Sequence, residues 1–279
     1  MPMNSIYSPY KSLRLFHLAA ISLLCCGILL AENQSIYTNA TLIWCCFCGV
    51  FAIYRLNDFI DNAANLKNNL AHFFKNKLNL VFTLQFVLLT LPIAFLYLSW
   101  TTWLTLALSG LVGALYSIKF HFGNTVFRIK NTFLVKNVTI GLSWGSLILI
   151  GAGNASSPLV KSMVLFAIFQ VLIGSVIRDI PDRDKDRTHK VQSLPIVLGI
   201  NKTILLLHIL NVSSLGAALL SVSSKNLWLT FSCVILWRLV TLSQIKRTFS
   251  SVFWSQKANL FTCTLLFIVF YLTTFMYAI

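Results

Sequence analysis

Residues 159–186 read LVKSMVLFAIFQVLIGSVIRDIPDRDKD, a nearly unbroken apolar run that reaches Asp179 and continues through Asp182, Asp184 and Asp186. A helix of about 20 apolar residues is what a hydrocarbon core about 30 Å thick requires. The first part of this stretch therefore reads as a membrane span, and its acidic end is unusual. Carboxylates at that position cost several kcal/mol to desolvate unless a cation, hydrogen bonds or a water-filled cavity compensates them.

Working outward, comparable stretches lie near 14–31, 38–60, 80–98, 101–118, 134–153, 203–221, 226–245 and 259–278, which with 159–180 makes nine. The third and fourth are separated by little more than Leu98-Ser99-Trp100. The chain is 57% apolar and 10% charged, where soluble domains carry roughly 25% charged residues. An all-α, polytopic membrane protein follows, a single domain over 1–279 built as a bundle of about nine transmembrane helices. The longest polar segments, 61–79, 118–133 and 181–202, are too short for a soluble domain and all belong to one membrane side.

A formal charge of +15 does not point to a nucleic-acid partner, because the basic residues follow the membrane side. With the N-terminus cytoplasmic, 20 of the 22 Lys and Arg residues fall in inner loops or helix ends, and Lys161 and Lys225 fall outside. That asymmetry is the positive-inside pattern, and it places both acidic clusters on the cytoplasmic side. The stretch at 14–31 reads as a retained helix rather than a signal peptide. The seven cysteines all lie inside apolar spans, as small buried or lipid-facing side chains do.

Six of the seven acidic residues gather in two clusters: Asn57-Asp58-Phe59-Ile60-Asp61 with Asn65 beyond it, and Asp179 to Asp186. At about 100° per residue, Asn57, Asp61 and Asn65 advance by roughly 40° each and Asp58 lies near them, so the four share one stripe. Asp179, Asp182 and Asp186 fall within about 60° of one another if the helix continues, whereas Asp184 points away. Pro181 removes a backbone donor, which predicts a kink or break here and a polar cavity beside it. Oxygen-only ligand sets suit a hard cation such as Mg²⁺, which keeps its waters and is completed by substrate phosphates. Two such clusters across a cavity read as a site for a metal-bridged diphosphate, with Arg55, Arg178, Arg183, Lys185 and Arg187 neutralising the remaining charge.

These residues resemble the UbiA superfamily of intramembrane aromatic prenyltransferases. Its Asn-Asp-x-x-Asp-x-x-x-Asp signature is matched by Asn57, Asp58, Asp61 and Asn65, with an amide for the last acid. Its Asp-x-x-Asp-x-x-x-Asp signature is matched in full by Asp179, Asp182 and Asp186. Asp186-Arg187, Ser193 to Gly199, Leu115-Tyr116-Ser117-Ile118-Lys119 and Arg128-Ile129-Lys130-Asn131 are similar to further family segments. The resemblance implies nine helices around a central cavity open to the cytoplasmic side, and a prenyl diphosphate held through Mg²⁺. It implies metal and diphosphate roles for Asn57, Asp58, Asp61, Asn65, Asp179, Asp182 and Asp186. Tyr116, Ser117 and Lys130 become contacts of the diphosphate or leaving group, with Lys119 and Arg128 as substitutes for one of them, and Arg55, Arg178 and Arg187 add diphosphate-binding charge.

The implied reaction moves a prenyl group from an isoprenyl diphosphate to an aromatic, quinone-precursor or other small hydrophobic acceptor among membrane lipids. A membrane terpene cyclase of the same fold and a cation-coupled transporter are the competing readings. Asn65 brings a carbonyl oxygen but no charge, which weakens the first metal position. The family's Arg-Pro segment after it is replaced by an Asn- and Lys-rich loop, and Lys190 stands where many relatives carry Gly. Lys136-Asn137, which opens the fifth helix, either reaches the cavity or anchors that helix by snorkelling to the interface, and the second is the preferred reading. His17, His72, His121 and His208 have no partner at metal-ligand spacing, and His189 reads as a solvated loop residue.

Overall fold

Within a bilayer every backbone N–H and C=O must be satisfied inside its own segment, so apolar runs of this length become helices. The computed structural model describes residues 9–31, 35–66, 70–123, 125–153, 157–188, 191–219 and 225–247. In order these form α1 (Pro9–Leu29), α2 (Ile36–Leu66), α3 (Leu70–Tyr97), α4 (Trp100–Ser117), a hairpin of β1 (Phe120–Phe122) and β2 (Thr125–Phe127), and a 3-10 turn at Ile129–Asn131. There follow α5 (Val135–Ala152), α6 (Pro158–Thr188), the short α7 (Leu194–Val197), α8 (Gly199–Leu219) and α9 (Lys225–Arg247). Among the described residues eight helices thus reach 18 residues or more. Three segments, Ile36–Asp61, Val135–Ala152 and Pro158–Asp184, are long and apolar enough to cross a membrane. The expected span at 259–278 lies outside the described residues.

The break between α3 and α4 is made by Ser99, whose side chain accepts from the Thr102 amide at 3.3 Å. A capping oxygen satisfies one of the amides that a new helix leaves unpaired, so two helices form where a longer apolar run was conceivable. α5 packs against α1 and α6, α2 against α1, α3 and α4, and α8 against α6 and α9. The α1–α5 contact is backbone to backbone. A Cβ on Gly151 would lie 2.2 Å from the Leu24 carbonyl oxygen, and one on Gly27 would lie 2.2 Å from that of Ile148. Small residues at such crossings let helices approach closely, and Gly141 and Gly145 do the same for α5 against Ile168 of α6. Gly110, by contrast, faces open space.

Three apolar cores result. One joins α1, α5, α6 and α9 through Leu23, Ile148, Met163, Phe166 and Phe231, with the rings of Phe166 and Phe231 stacked at 4.2 Å. A second joins α6 to α7, α8 and α9 around Ile177, Leu194, Leu207 and Leu242. The third joins α1, α2, α3 and α5 around Leu24, Leu42, Ala94 and Ile150. Between the first two sits a buried polar cluster. Arg238 Nε donates to Gln170 Oε1 at 3.3 Å, and Gln170 Nε2 donates to Asn211 Oδ1 and Ser214 Oγ at 3.0 Å each. The cluster satisfies polar groups of α6, α8 and α9 at one level, as buried polar side chains require.

Two features depart from the sequence reading. Of the kink or break expected at Pro181, the break is absent: α6 runs as α-helix to Thr188. Ile177, whose carbonyl loses its donor, and Ile180, which precedes the proline, are both buried in the second core, and that packing outweighs one lost hydrogen bond. The loop after α4 contains an antiparallel hairpin with Phe122 paired to Thr125. Gly123 takes φ +57, the left-handed backbone a two-residue turn demands.

Candidate active site

The acidic end of α2 is held by cations from the segment that follows the hairpin. Arg128 Nη1 donates to Asp61 Oδ1 at 2.6 Å and Lys130 Nζ to Asp61 Oδ2 at 2.5 Å. Asn57 joins them: its amide donates to Asp61 at 3.2 Å, and its carbonyl oxygen accepts from Arg128 at 3.2 Å and from Lys130 at 3.4 Å. Arg128 is buried at 6% exposure, and its Nε donates to the Ser117 carbonyl at 2.9 Å. The C-terminal carbonyls of a helix carry partial negative charge, so the end of α4 is a favourable seat for a guanidinium. Ser117 therefore meets the cluster through its backbone, while its hydroxyl donates to the Gly113 carbonyl at 3.2 Å.

The acidic end of α6 is held by the first turn of α5. Lys136 Nζ lies 2.5 Å from Asp179 Oδ1, and Asn137 Nδ2 donates to Asp179 Oδ2 at 3.2 Å and to Ser175 Oγ at 2.9 Å. Asp179 is 5% exposed. This corrects the reading of Lys136 as a snorkelling anchor: its ammonium turns inward to a buried carboxylate that would otherwise be uncompensated. Asp182 is exposed, and Asp184 pairs with the adjacent Arg183 at 3.1 Å on the outside of the helix, as its angular position predicts. Asp186 is half-buried, and its Oδ2 is buried with no hydrogen-bond partner among the described residues. Ser193, 2% exposed, brings its hydroxyl near that carboxylate without closing a geometrically sound hydrogen bond.

The two halves are neighbours. The 3-10 turn packs on α4 and α5, and the Asn131 carbonyl accepts from the Gln192 amide at 3.3 Å, which ties it to the loop after α6. Tyr116, half-buried at the end of α4, lies within electrostatic reach of Tyr54, Arg128, Arg178 and Asp179. Burial depresses the Lys130 ammonium below its ordinary range; Asp61 opposes that shift and the charges of Arg128 and Lys136 add to it. Burial raises the Asp186 carboxyl, Asp179 and Asp182 raise it further, and Lys136 and Ser193 act against them.

Two other expected residues stand apart. Lys119 and Arg187 are exposed, and among the described residues neither bonds to an acidic cluster. Arg178 is exposed as well, and the Arg55 guanidinium lies over the Phe51 ring at 5.0 Å. The side chains of Asp58, Asn65 and Lys185 and all of His189 lie outside the described residues. Lys136 and Asn137 are site residues that the sequence reading sets aside in favour of an anchor. A cation followed by an amide at the start of a span, opposite a span that ends in acids, is the signal that could have found them.

Among the described residues no group of three or more His, Cys, Asp or Glu side chains converges to hold a metal by itself. The donors are carboxylate and hydroxyl oxygens, and two of them, Asp186 Oδ2 and Ser193 Oγ, are buried with no hydrogen-bond partner. Such a set fits an oxygen-preferring ion whose coordination is completed by waters and phosphate, and it does not fit an all-protein cage.

The fold has solved counterparts. A digeranylgeranylglyceryl phosphate synthase superposes with a TM-score of 0.69 at 18% identity, covering 95% of this chain and 96% of its own. A UbiA homologue from Archaeoglobus fulgidus, bound to DMAPP and Mg²⁺, superposes with a TM-score of 0.71 at 12% identity over the same shares. The apo UbiA homologue from Aeropyrum pernix K1 gives 0.68 at 14% identity, over 92% of this chain and 97% of that one. No curated protein sequence matches the chain. The sequence profile of the UbiA prenyltransferase family matches residues 18–263, nearly the whole length. With its two acidic helix ends and the basic segment between them, the chain belongs to the UbiA prenyltransferase family, whose members are integral membrane proteins.

Proposed function

We propose that this protein transfers a prenyl group from an isoprenyl diphosphate to a small aromatic or quinone-precursor acceptor within the membrane, with Mg²⁺ as cofactor. The observation that carries this reading is the basic segment 128–137, which engages the acidic end of α2 through Arg128 and Lys130 and that of α6 through Lys136. A diphosphate with its metal ions needs both carboxylates and cations converging on one place, and this segment supplies the cations between two carboxylate sources. The UbiA homologue bound to GPP and Mg²⁺ supports the choice of substrate and ion.

Asp61 on α2 and Asp179, Asp182 and Asp186 on α6 would hold the ion, with Asn57, Asp58 and Asn65 extending the first cluster. The ion would supply positive charge to the leaving diphosphate as the allylic C–O bond breaks. The electron pair of that bond leaves with the diphosphate, where Arg128, Lys130 and the Tyr116 hydroxyl receive the growing charge. The acceptor carbon then bonds to the allylic carbon and releases a proton. Apolar helix faces keep water from the cation, which it would otherwise capture. The basic residues' bias to one side supports a cytoplasmic opening.

The test is diphosphate release by the purified protein in nanodiscs, with dimethylallyl, geranyl and longer diphosphates, with and without phenolic acceptors, and with Mg²⁺ or EDTA. Mg²⁺-dependent prenylated acceptor is expected, lost by roughly a hundredfold or more in Asp61→Ala and Asp182→Ala, as when a transition-state charge contact is removed. Hydrocarbon or alcohol product without any acceptor would instead mark a cyclase, and no turnover of any isoprenoid diphosphate would sink the enzyme reading.

A further inference from the structure

Lys136 occupies an electrostatically unfavourable place. It sits in the first turn of α5, where the helix dipole is positive and favours anions. The residue two before it, Leu134, has φ 61 and ψ −43, and the Val135 amide bonds back to the Phe133 carbonyl at 2.7 Å. That is a γ-turn with positive φ, rare and strained for a leucine. Strain of this kind persists where the surroundings over-determine it, and it gathers at functional sites. Its effect is to let a run of ten residues turn Arg128 and Lys130 to α2 and then Lys136 and Asn137 to α6.

Lys136 Nζ lies 2.5 Å from Asp179 Oδ1, where a divalent cation would bind, and its charge acts on Asp186, whose Oδ2 has no hydrogen-bond partner. An ammonium at that distance and a Mg²⁺ at about 2.0–2.1 Å on the same carboxylate would repel each other, so the two cations compete for Asp179. The lysine stem, by contrast, is flexible and its three donors can be redirected to a phosphate oxygen. Asn137, bonded to both Asp179 and Ser175, keeps the carboxylate in place when the lysine leaves.

We propose that Lys136 is a phosphate-binding side chain that stands in for a divalent cation on Asp179 in the empty site and turns to the diphosphate when metal and substrate arrive together. The proposal rests on the metal–diphosphate reading above and adds an order to it: metal alone competes with Lys136, whereas metal with diphosphate displaces it. Futile metal capture is thereby suppressed, and the ammonium released from Asp179 is delivered to the leaving group.

Mn²⁺ binding to the full-length protein in nanodiscs, followed by electron paramagnetic resonance with and without inorganic diphosphate, tests it. Lys136→Gln should bind Mn²⁺ alone on the order of tenfold more tightly than the unmodified protein, and diphosphate in saturating Mn²⁺ on the order of tenfold more weakly, the scale of one charge-assisted hydrogen bond. Lys136→Arg, which holds a carboxylate more firmly and keeps the charge, should bind Mn²⁺ alone more weakly and retain diphosphate affinity. It carries the test by itself if Lys136→Gln does not fold. Unchanged Mn²⁺ affinity in either variant, or diphosphate affinity unaffected by Lys136→Gln, overturns the role of Lys136 and leaves the metal–diphosphate reading standing. Absence of Mn²⁺ uptake by the unmodified protein even with diphosphate overturns that reading and this proposal with it.

Discussion

Asp179 and Asp186 lie two turns apart on one stripe of α6 and are stabilised differently. Asp179 is buried and fully bonded, to Lys136 and Asn137, while Asp186 has a buried oxygen with no hydrogen-bond partner and a carboxyl raised by burial and by two neighbouring acids. A carboxylate whose charged form is disfavoured in the folded state destabilises that state at neutral pH, the more so as pH rises through its raised value. Asp186→Asn should therefore raise the thermal midpoint of the metal-free protein by a few degrees. It should also reduce the stabilisation that Mn²⁺ with inorganic diphosphate confers on the unmodified chain, because it removes a charged ligand oxygen. Calorimetry or tryptophan fluorescence on the two proteins checks both, and a lowered midpoint in metal-free buffer would show that Asp186 is stabilised as an anion. The stripe itself is legible from spacing, since 179, 182 and 186 follow the helical period. The gradient along it, from buried Asp179 to exposed Asp182, depends on which neighbours cover each turn, and spacing carries no such information.

At the scale of elements, the junction between the 3-10 turn and α5 determines the aim of the cations. Its strain at Leu134 yields an ordering. Glycine adopts φ near +60° without steric cost, leucine tolerates it poorly and a β-branched residue worst. Leu134 is 39% exposed, so little packing is lost by trimming it. Leu134→Gly should match or exceed the unmodified protein in thermal midpoint, and Leu134→Val should fall below it by about 1–3 kcal/mol of stability. A valine variant as stable as the leucine protein would argue that the positive φ is absent in solution. The hairpin at 120–127 was readable in principle, because Gly123-Asn124 between aromatic and β-branched residues is a turn signal. Helix ends were less so. α2 runs on to Leu66 and α6 to Thr188, beyond where apolarity stops. Hydropathy marks where a segment leaves the membrane, whereas a helix continues for as long as its backbone hydrogen bonds close.

For the whole molecule, the charge asymmetry makes the sharpest claim: if the N-terminus is cytoplasmic, 20 of the 22 Lys and Arg residues fall toward one side by sequence position, all of them but the buried Arg238 in loops or near helix ends. With the native cysteines replaced, a cysteine introduced at Asn68 should be modified by a membrane-impermeant maleimide only after the membrane is opened, and one at Ser223 should be modified in intact cells. The reverse pattern would invert the bundle, and equal labelling would break the helix count between them. The membrane class, the helical architecture and the family were set by sequence alone, because long apolar runs have one solution in lipid and because acids at the ends of such runs are too costly to be incidental. What only the tertiary structure decided is which charges meet. Asp61 pairs with residues 67 and 69 positions away and Asp179 with one 43 positions away, and such partners are chosen by how helices cross rather than by any local pattern. Lys136 became part of the site because the Gly-mediated contacts of α5 bring its first turn against α6.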